Sequence, residues 1–397
     1  MIGIIGAGPA GLTAAEVLSA CSRSEVTVFS SEATPPYNPA LLTTYLTTGS
    51  EEVFWKGRDV LERLGVKARL GERVKRLDAG RRKVITERGE YEFERIIVAS
   101  GSRLHAPLKG AGFPNVYDFK SLSQVKRLRA ELNGAKRAVV VGAGFQGTEI
   151  SLALNELGVE VTLLEATDRM LPERLDKKAS RFIEEVMEKR GIELVFNKVV
   201  AEFCGGKVCE AVLTEEGEEF RGDVFIAATG ITPNVDFCAG ELEIAKGIIV
   251  NEYMETSREG IYACGDVCET RNRISGERGV FGNYVNALRQ ARVAALNALG
   301  RRVKYDGSDV MNSLKKLGFH FIVAGEVKGD YEEFQEGGNY WRFYVREGRL
   351  VGYIVIGDIS NAGLYYRLMT CGENIERFRP LHELKDPNLA GLRVALA

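Results

Sequence analysis

Two stretches of this chain, well separated in sequence, follow the same plan: "MIGIIGAGPAGLTAAEVLSACSRSEVTVFS" from Met1 and "RAVVVGAGFQGTEISLALNELGVEVTLLE" from Arg137. Each opens with a short apolar run suited to a strand buried on both faces. A glycine-rich turn follows, then a helix, then a β-branched second strand. Each stretch predicts a βαβ unit, and the repetition predicts an α/β protein built around two of them.

The glycines give both units a purpose. Gly6, Gly8 and Gly11 form one G-x-G-x-x-G pattern, and Gly142, Gly144 and Gly147 form the other. The first glycine permits a tight turn, the second lets backbone N–H groups reach a pyrophosphate, and the third lets helix and strand pack closely. The helix N-terminus then faces the phosphates, which brings Pro9 and Ala10 to the first site and Phe145 and Gln146 to the second. One such motif can arise as a turn. Two in full strand–turn–helix–strand context predict two Rossmann-like dinucleotide-binding domains. The second unit ends at Glu165, an acid placed to accept hydrogen bonds from a ribose 2′-OH and to repel a 2′-phosphate, so NADH is favoured there over NADPH. Arg169 either softens that preference or is a solvated surface charge. In the first unit Ser30 stands where the acid is expected; Glu32 substitutes for it, or the Ser30 hydroxyl bonds the ribose.

Size and charge bound the rest. With 397 residues, 45 % of them hydrophobic, the chain can bury two or three cores. A formal charge of −2 gives no electrostatic case for nucleic acid or an anionic membrane. No apolar run approaches the ~20 residues that span a bilayer, and a strand starting at Ile2 leaves no room for a signal peptide. Seven cysteines, an odd number, are not a disulfide framework. A reducing, cytoplasmic setting is expected.

Three further segments occur in a telling order: "IIVASGS" from Ile96, "DVFIAATGITPNVDF" from Asp223 and "TSREGIYACGDVCE" from Thr256. With the two glycine motifs they resemble the flavoproteins of the pyridine nucleotide–disulfide oxidoreductase superfamily, glutathione reductase-like in fold, over roughly three quarters of the chain. The resemblance implies FAD at the first unit and NADH at the second. It also implies that Asp266 bonds the FAD ribityl or pyrophosphate region, that Ser100 and Gly101 form the turn closing the FAD domain, and that Gly230 borders the NAD site. Within the superfamily the chain is similar to the branch of NADH oxidases, coenzyme A–disulfide reductases, rubredoxin and ferredoxin reductases, and FAD subunits of larger complexes. "GNYVNALRQARVAALNALG" from Gly282 resembles that branch's helix whose N-terminus points at the flavin pyrimidine ring. A helix dipole there stabilises the anionic reduced flavin. Asn286, Ala287 and Gln290 match it, and Ala291 replaces the usual glycine.

"YWRFYVREGRLVGYIVIGDISNAGLYYRLM" reads as two alternating strands about a turn and then a helix. It resembles the small α+β C-terminal domain of the same branch, which covers a flavin face or forms a subunit interface. The expected domains are 1–107 with 227–300 for FAD, 108–226 for NAD(H), and 301–397. "FPNVYDFKSLSQVKRLRAEL" is expected to be a turn and helix crossing between the first two.

One stretch departs from the resemblance. "PPYNPALLTTYLTTG" from Pro35 reads as a neutral loop walling the flavin. In thiol-using relatives a redox cysteine follows a proline here; this chain has Ala40 after Pro39, so disulfide and persulfide chemistry by that route is not expected. Thiol-free relatives carry a lysine here that pairs with a glutamate after the second glycine motif. This chain keeps the glutamate, Glu149, and offers Thr43 or Thr44 in place of the lysine. Glu149 is either a contact to flavin N5 or the nicotinamide amide, or a helix-face carboxylate. Phe145 is either an aromatic gate over the flavin or a packing residue. Cys264 and Cys268 are either a redox pair or small buried residues.

The resemblance implies an NADH-dependent FAD oxidoreductase passing electrons to a redox protein or partner subunit, such as rubredoxin, ferredoxin or an iron–sulfur component, and a homodimer. An NADH oxidase reducing O2 and a flavin-binding, NADH-responsive interaction protein are the alternatives.

Overall fold

The computed structural model describes residues 1–104, 108–314 and 316–383. The expected boundary at residue 107 and the end of the last domain lie outside the described residues. The chain forms two compact units, Met1–Ser308 and a second from Asp309 onward.

Both βαβ repeats form, and each lies at the centre of its own parallel sheet. In the first sheet the strand order is Ile261–Ala263, Arg95–Val98, Ile2–Ile5, Val26–Phe29, Lys67–Arg69. In the second it is Glu193–Val195, Glu160–Leu164, Arg137–Val141, Val224–Ala227, Val116–Tyr117. Ile2–Ile5 is buried along its whole length, as is Val139–Val141 in its counterpart, which is why these runs are apolar without alternation. The helices Pro9–Cys21 and Phe145–Glu156 follow their glycine turns, with Gly8 and Gly144 as N-caps. A three-stranded antiparallel sheet accompanies each parallel one, at residues 74–92 and 200–221. The two chain passages Ser102–Leu104 and Ile231–Pro233 pair antiparallel, so the chain leaves and re-enters the first sheet's neighbourhood side by side.

Helix Tyr284–Ala298 packs against Pro9–Cys21 over the first sheet. Small residues allow the approach: a Cβ on Gly265 would lie 3.0 Å from that of Ala10 and 3.9 Å from that of Ala287. Tyr305 belongs to this core and Ser308 bonds Thr270 and Gln290, which carries the first unit past residue 300 to Ser308. The expected crossing forms as a strand, Val116–Tyr117, and a helix, Leu122–Glu131.

The stretch expected to be a loop is helical. Pro39–Leu41 is a 3-10 turn and Leu42–Thr48 an α-helix. The Asn38 carboxamide accepts the Ala40 N–H at 3.0 Å, Pro39 sits at the first helical position, and Gly49 closes the helix at φ +71°. Leu42 and Leu46, one turn apart, are buried. Burial of that i, i+4 pair outweighs the weak helix propensity of the four threonines.

The second unit is a five-stranded antiparallel sheet in the order Met311–Leu314, Phe321–Gly325, Arg349–Ile356, Asn339–Arg346, Tyr331–Glu336, with helix Ala362–Cys371. The two strands and helix expected here are joined by three strands the sequence pattern did not signal. Arg342, 1 % exposed, pairs with Glu333 at 2.6 Å, with its guanidinium over the Tyr331 ring. Among the described residues no helix is long and apolar enough to cross a membrane.

Candidate dinucleotide sites

The two glycine turns superimpose in their steric logic. Gly6 and Gly142 have φ of +114° and +104°, and a Cβ on either would lie 2.1 or 2.5 Å from the carbonyl oxygen of Ala99 or Ala228. A Cβ on Gly11 or Gly147 would come within 1.9 Å of the Gly6 or Gly142 carbonyl oxygen. The middle glycines differ: around a Cβ on Gly8 or Gly144 there is nothing within 4 Å. The first and third glycines are therefore demanded by the protein's own packing. The second is not, and its bare backbone is what a phosphate at the helix N-terminus requires.

A cavity of about 530 Å³ lies at the first turn. Of the residues predicted for FAD, it is lined by Gly6, Gly8, Pro9, Ser30, Glu32, Pro39, Ser100, Gly101 and Asp266. Ala10, Gly11, Asn286 and Ala287 are buried behind it in the packing of the two helices, and Ala40 is exposed beside it. The donor set suits a dinucleotide: an open glycine turn, carboxylates for hydroxyls, and Lys75, Arg73 and Lys120 for phosphate charge. The Ser102 hydroxyl donates to Asp266 at 3.0 Å. Gly282, just before helix Tyr284–Ala298, is so close that its Cβ would lie 3.2 Å from the Asp266 carboxyl carbon, so that helix begins beside the cavity. Asn283 caps it by accepting the Asn286 N–H at 2.7 Å.

Several lining residues escaped the sequence reading. Asn234 clasps the 100–101 turn: its amide donates to the Ser100 carbonyl and its N–H to that of Gly101, both at 2.9 Å, while the Ser100 hydroxyl donates to the Asn234 carbonyl. Asn234 directly follows the strand Ile231–Pro233, and nothing local in the sequence marks its reach to residues 100–101. Glu72 is 1 % exposed. Burial would raise its carboxyl, but hydrogen bonds from Thr86 at 2.7 Å and Tyr91 at 3.0 Å, with the Arg69 charge, hold it below the ordinary range. Glu32 shows the opposite balance, with burial pushing it up and the Tyr37 hydroxyl only partly compensating.

At the second turn, Glu165 is almost buried and both carboxylate oxygens serve the protein. One accepts the Ala143 N–H at 2.8 Å; the other accepts the Thr167 N–H and hydroxyl at 2.9 and 3.0 Å. The acid thus braces the glycine turn. Arg169 is held in its own loop by Asp168 at 2.6 Å and by the carbonyls of Leu175 and Pro172. Gln146 donates to the carbonyls of Asp118 and Phe119, tying the helix to the crossing segment. Gly230, at φ +102°, has open space around it.

Helix Leu42–Thr48 packs directly against Phe145–Glu156, the element that carries Phe145 and Glu149, and its Thr43 and Thr44 are half-buried. The carbonyls of Thr43 and Thr44 accept from the Thr47 hydroxyl, and that of Thr44 also from Thr48. Cys264 and Cys268 are free and fully buried. Burial pushes the Cys264 thiol up to about 12 and Cys268 well above its ordinary value, and the Cys268 thiol donates to the Gly265 carbonyl at 3.2 Å. Such groups are packing thiols, not nucleophiles.

Comparison with known proteins agrees with this geometry. Residues 2–291 match the family described as pyridine nucleotide-disulphide oxidoreductase. The chain is 27 % identical over 371 residues to the assimilatory nitrate reductase electron transfer subunit of Bacillus subtilis, which covers 89 % of this chain but 47 % of that protein, so it spans about half that relative's length. It is 30 % identical over 306 residues to a rubredoxin-NAD(+) reductase of Ectopseudomonas oleovorans, covering 75 % of this chain and 79 % of the relative. The solved structure of an NAD-dependent persulfide reductase from A. fulgidus superimposes with a TM-score of 0.89 at 25 % identity, over 100 % of this chain and 83 % of that one. The family match begins at the first strand and ends within the helix beside Asp266, so neither glycine cradle falls outside it: the chain belongs to the pyridine nucleotide-disulphide oxidoreductase family.

Proposed function

We propose that this protein is an FAD-dependent oxidoreductase that draws electrons from NADH at the Gly142–Gly147 turn and passes them from FAD in the first cavity to a redox protein or partner subunit. Rubredoxin, ferredoxin or an iron–sulfur component fits that role. The observation that carries the reading is the pairing of two glycine cradles with a cavity wall whose Pro39 is followed by alanine, not cysteine. With no thiol relay at that point, the acceptor must meet the cofactor directly. The family's rubredoxin reductase and electron transfer subunit support the same assignment.

Bound FAD supplies the hydride acceptor and electron donor. The chain's own residues bind and orient. Gly8 and Gly144 admit the two pyrophosphates, Asp266 accepts a cofactor hydroxyl or orients a donor to it, and the N-terminus of Tyr284–Ala298 offers its dipole to negative charge. Glu165 selects NADH by repelling a 2′-phosphate, and Arg169, engaged in its own loop, offers that phosphate no partner. Phe145 and Glu149 stand on the helix that meets Leu42–Thr48, where Thr43 and Thr44 replace a cation with hydroxyls; we assign these four to the nicotinamide–flavin junction. Within the first unit we assign 1–107 with 227–308 to FAD and 108–226 to NAD, with the last domain starting at Asp309 and not at residue 301. Seven unpaired cysteines suit a reducing cytoplasm.

The test is anaerobic mixing of FAD-loaded protein with NADH, followed by air. Rapid bleaching of the flavin with slow recolouring supports transfer to a protein acceptor. Rapid recolouring makes O2 the acceptor, and bleaching too slow for turnover leaves a flavin-binding, NADH-responsive interaction protein.

A further inference from the structure

Sequence patterning gives Tyr37 no role, yet it joins the cavity to a distant helix. It is 9 % exposed and lines the cavity with Glu32. Its hydroxyl donates to the Glu32 carboxylate, 3.1 Å from each oxygen, and accepts the Leu122 N–H at 3.1 Å. Leu122 is the first residue of helix Leu122–Glu131, where an amide has no partner within the helix. Ser121 serves the Gln124 N–H instead, so Tyr37 provides the acceptor for Leu122.

Glu32 needs outside support because of where it sits. The strand-end position belongs to Ser30, whose hydroxyl oxygen accepts the Glu32 N–H at 3.1 Å. Glu32 therefore stands in a turn beyond the end of Val26–Phe29; its carbonyl accepts the Gly71 N–H at 2.9 Å, which fixes the backbone, while its carboxylate takes its direction from the Tyr37 hydroxyl. We propose that Tyr37 is a positioning residue: anchored by the Leu122 amide, its hydroxyl holds the Glu32 carboxylate turned into the cavity as the acceptor for the adenosine ribose of FAD. This deepens the FAD reading given above and rests on it.

The charged surroundings of Glu32 make the proposal readable by pH. Burial raises its carboxyl, the Tyr37 bond lowers it, and Asp118 raises it further. Lys120, Arg73, Lys75 and Glu72 line the same cavity. Loss of the Tyr37 hydroxyl removes the group that opposes burial.

The experiment is a titration of FAD-free protein with FAD, followed by flavin fluorescence between about pH 5 and pH 8, for the natural chain, Y37F, E32Q and the double variant. Y37F is expected to weaken FAD binding about tenfold, the scale of one hydrogen bond to a charged group. It should also move upward the pH at which affinity is lost on acidification. E32Q should abolish that pH dependence, and adding Y37F to E32Q should cost far less than Y37F alone. The lost acceptor for Leu122 affects Y37F and the double variant alike, so the cycle cancels it. Effects that simply multiply, or a pH midpoint unmoved in Y37F, would reduce Tyr37 to a packing residue and helix cap and overturn the proposal. Failure of the natural chain to bind FAD would instead overturn the reading of the cavity itself.

Discussion

Three glycines in each motif look equivalent in sequence, but their surroundings separate them. A methyl on Gly11 collides with the Gly6 carbonyl at 1.9 Å, whereas a methyl on Gly8 meets nothing. G11A is expected to destabilise the fold by about 1–3 kcal/mol or more. G8A should leave the urea midpoint of the FAD-free protein nearly unchanged and weaken FAD binding at least tenfold. Parallel denaturation and flavin titration of the two variants check this; equal loss of stability in both would contradict it. Glu72 gives the pH counterpart. Its folded carboxyl lies below the ordinary value, so it contributes stability that is present above the usual carboxylate range and is lost as pH falls through the depressed folded value. E72Q should flatten that acid limb in a series of urea midpoints against pH. At this scale the glycines were legible because their spacing is itself the constraint. Glu72, Tyr37 and Asn234 were not, because each works through partners remote in sequence.

At the scale of elements, the βαβ repeats could be read directly, since a strand buried on both faces must be a continuous apolar run. The segment after Pro35 reads as a loop in sequence and is helical from Pro39 to Thr48 in the fold. Its threonines argue against helix, and the evidence for one lies in the spacing of Leu42 and Leu46, whose burial depends on neighbouring helices that only the fold supplies. The Gly-Asp turn shows a similar dependence. Cys264 and Cys268 bracket it in a pattern that suggests redox chemistry, yet both thiols are buried and raised. The C264A/C268A variant is expected to keep at least half of the NADH-driven flavin reduction rate, and native thiol titration should leave both cysteines unreacted. A loss of more than tenfold without loss of FAD would restore the redox reading.

For the whole molecule, the anaerobic reduction described above is the decisive prediction: millisecond bleaching by NADH, weaker response to NADPH, and slow return of colour in air. The amino-acid sequence by itself determined the two parallel-sheet dinucleotide units, their order along the chain and the lack of a cysteine after Pro39, because each is a local pattern of apolar runs, glycine spacing or residue identity. Only the tertiary structure decided which glycine is left bare, where the first unit ends, and that Tyr37 in the first cavity joins Glu32 to the start of a helix some eighty residues away. Those features depend on which surfaces meet after the chain has crossed between its sheets, and a long-range contact leaves no periodicity in the residues that make it.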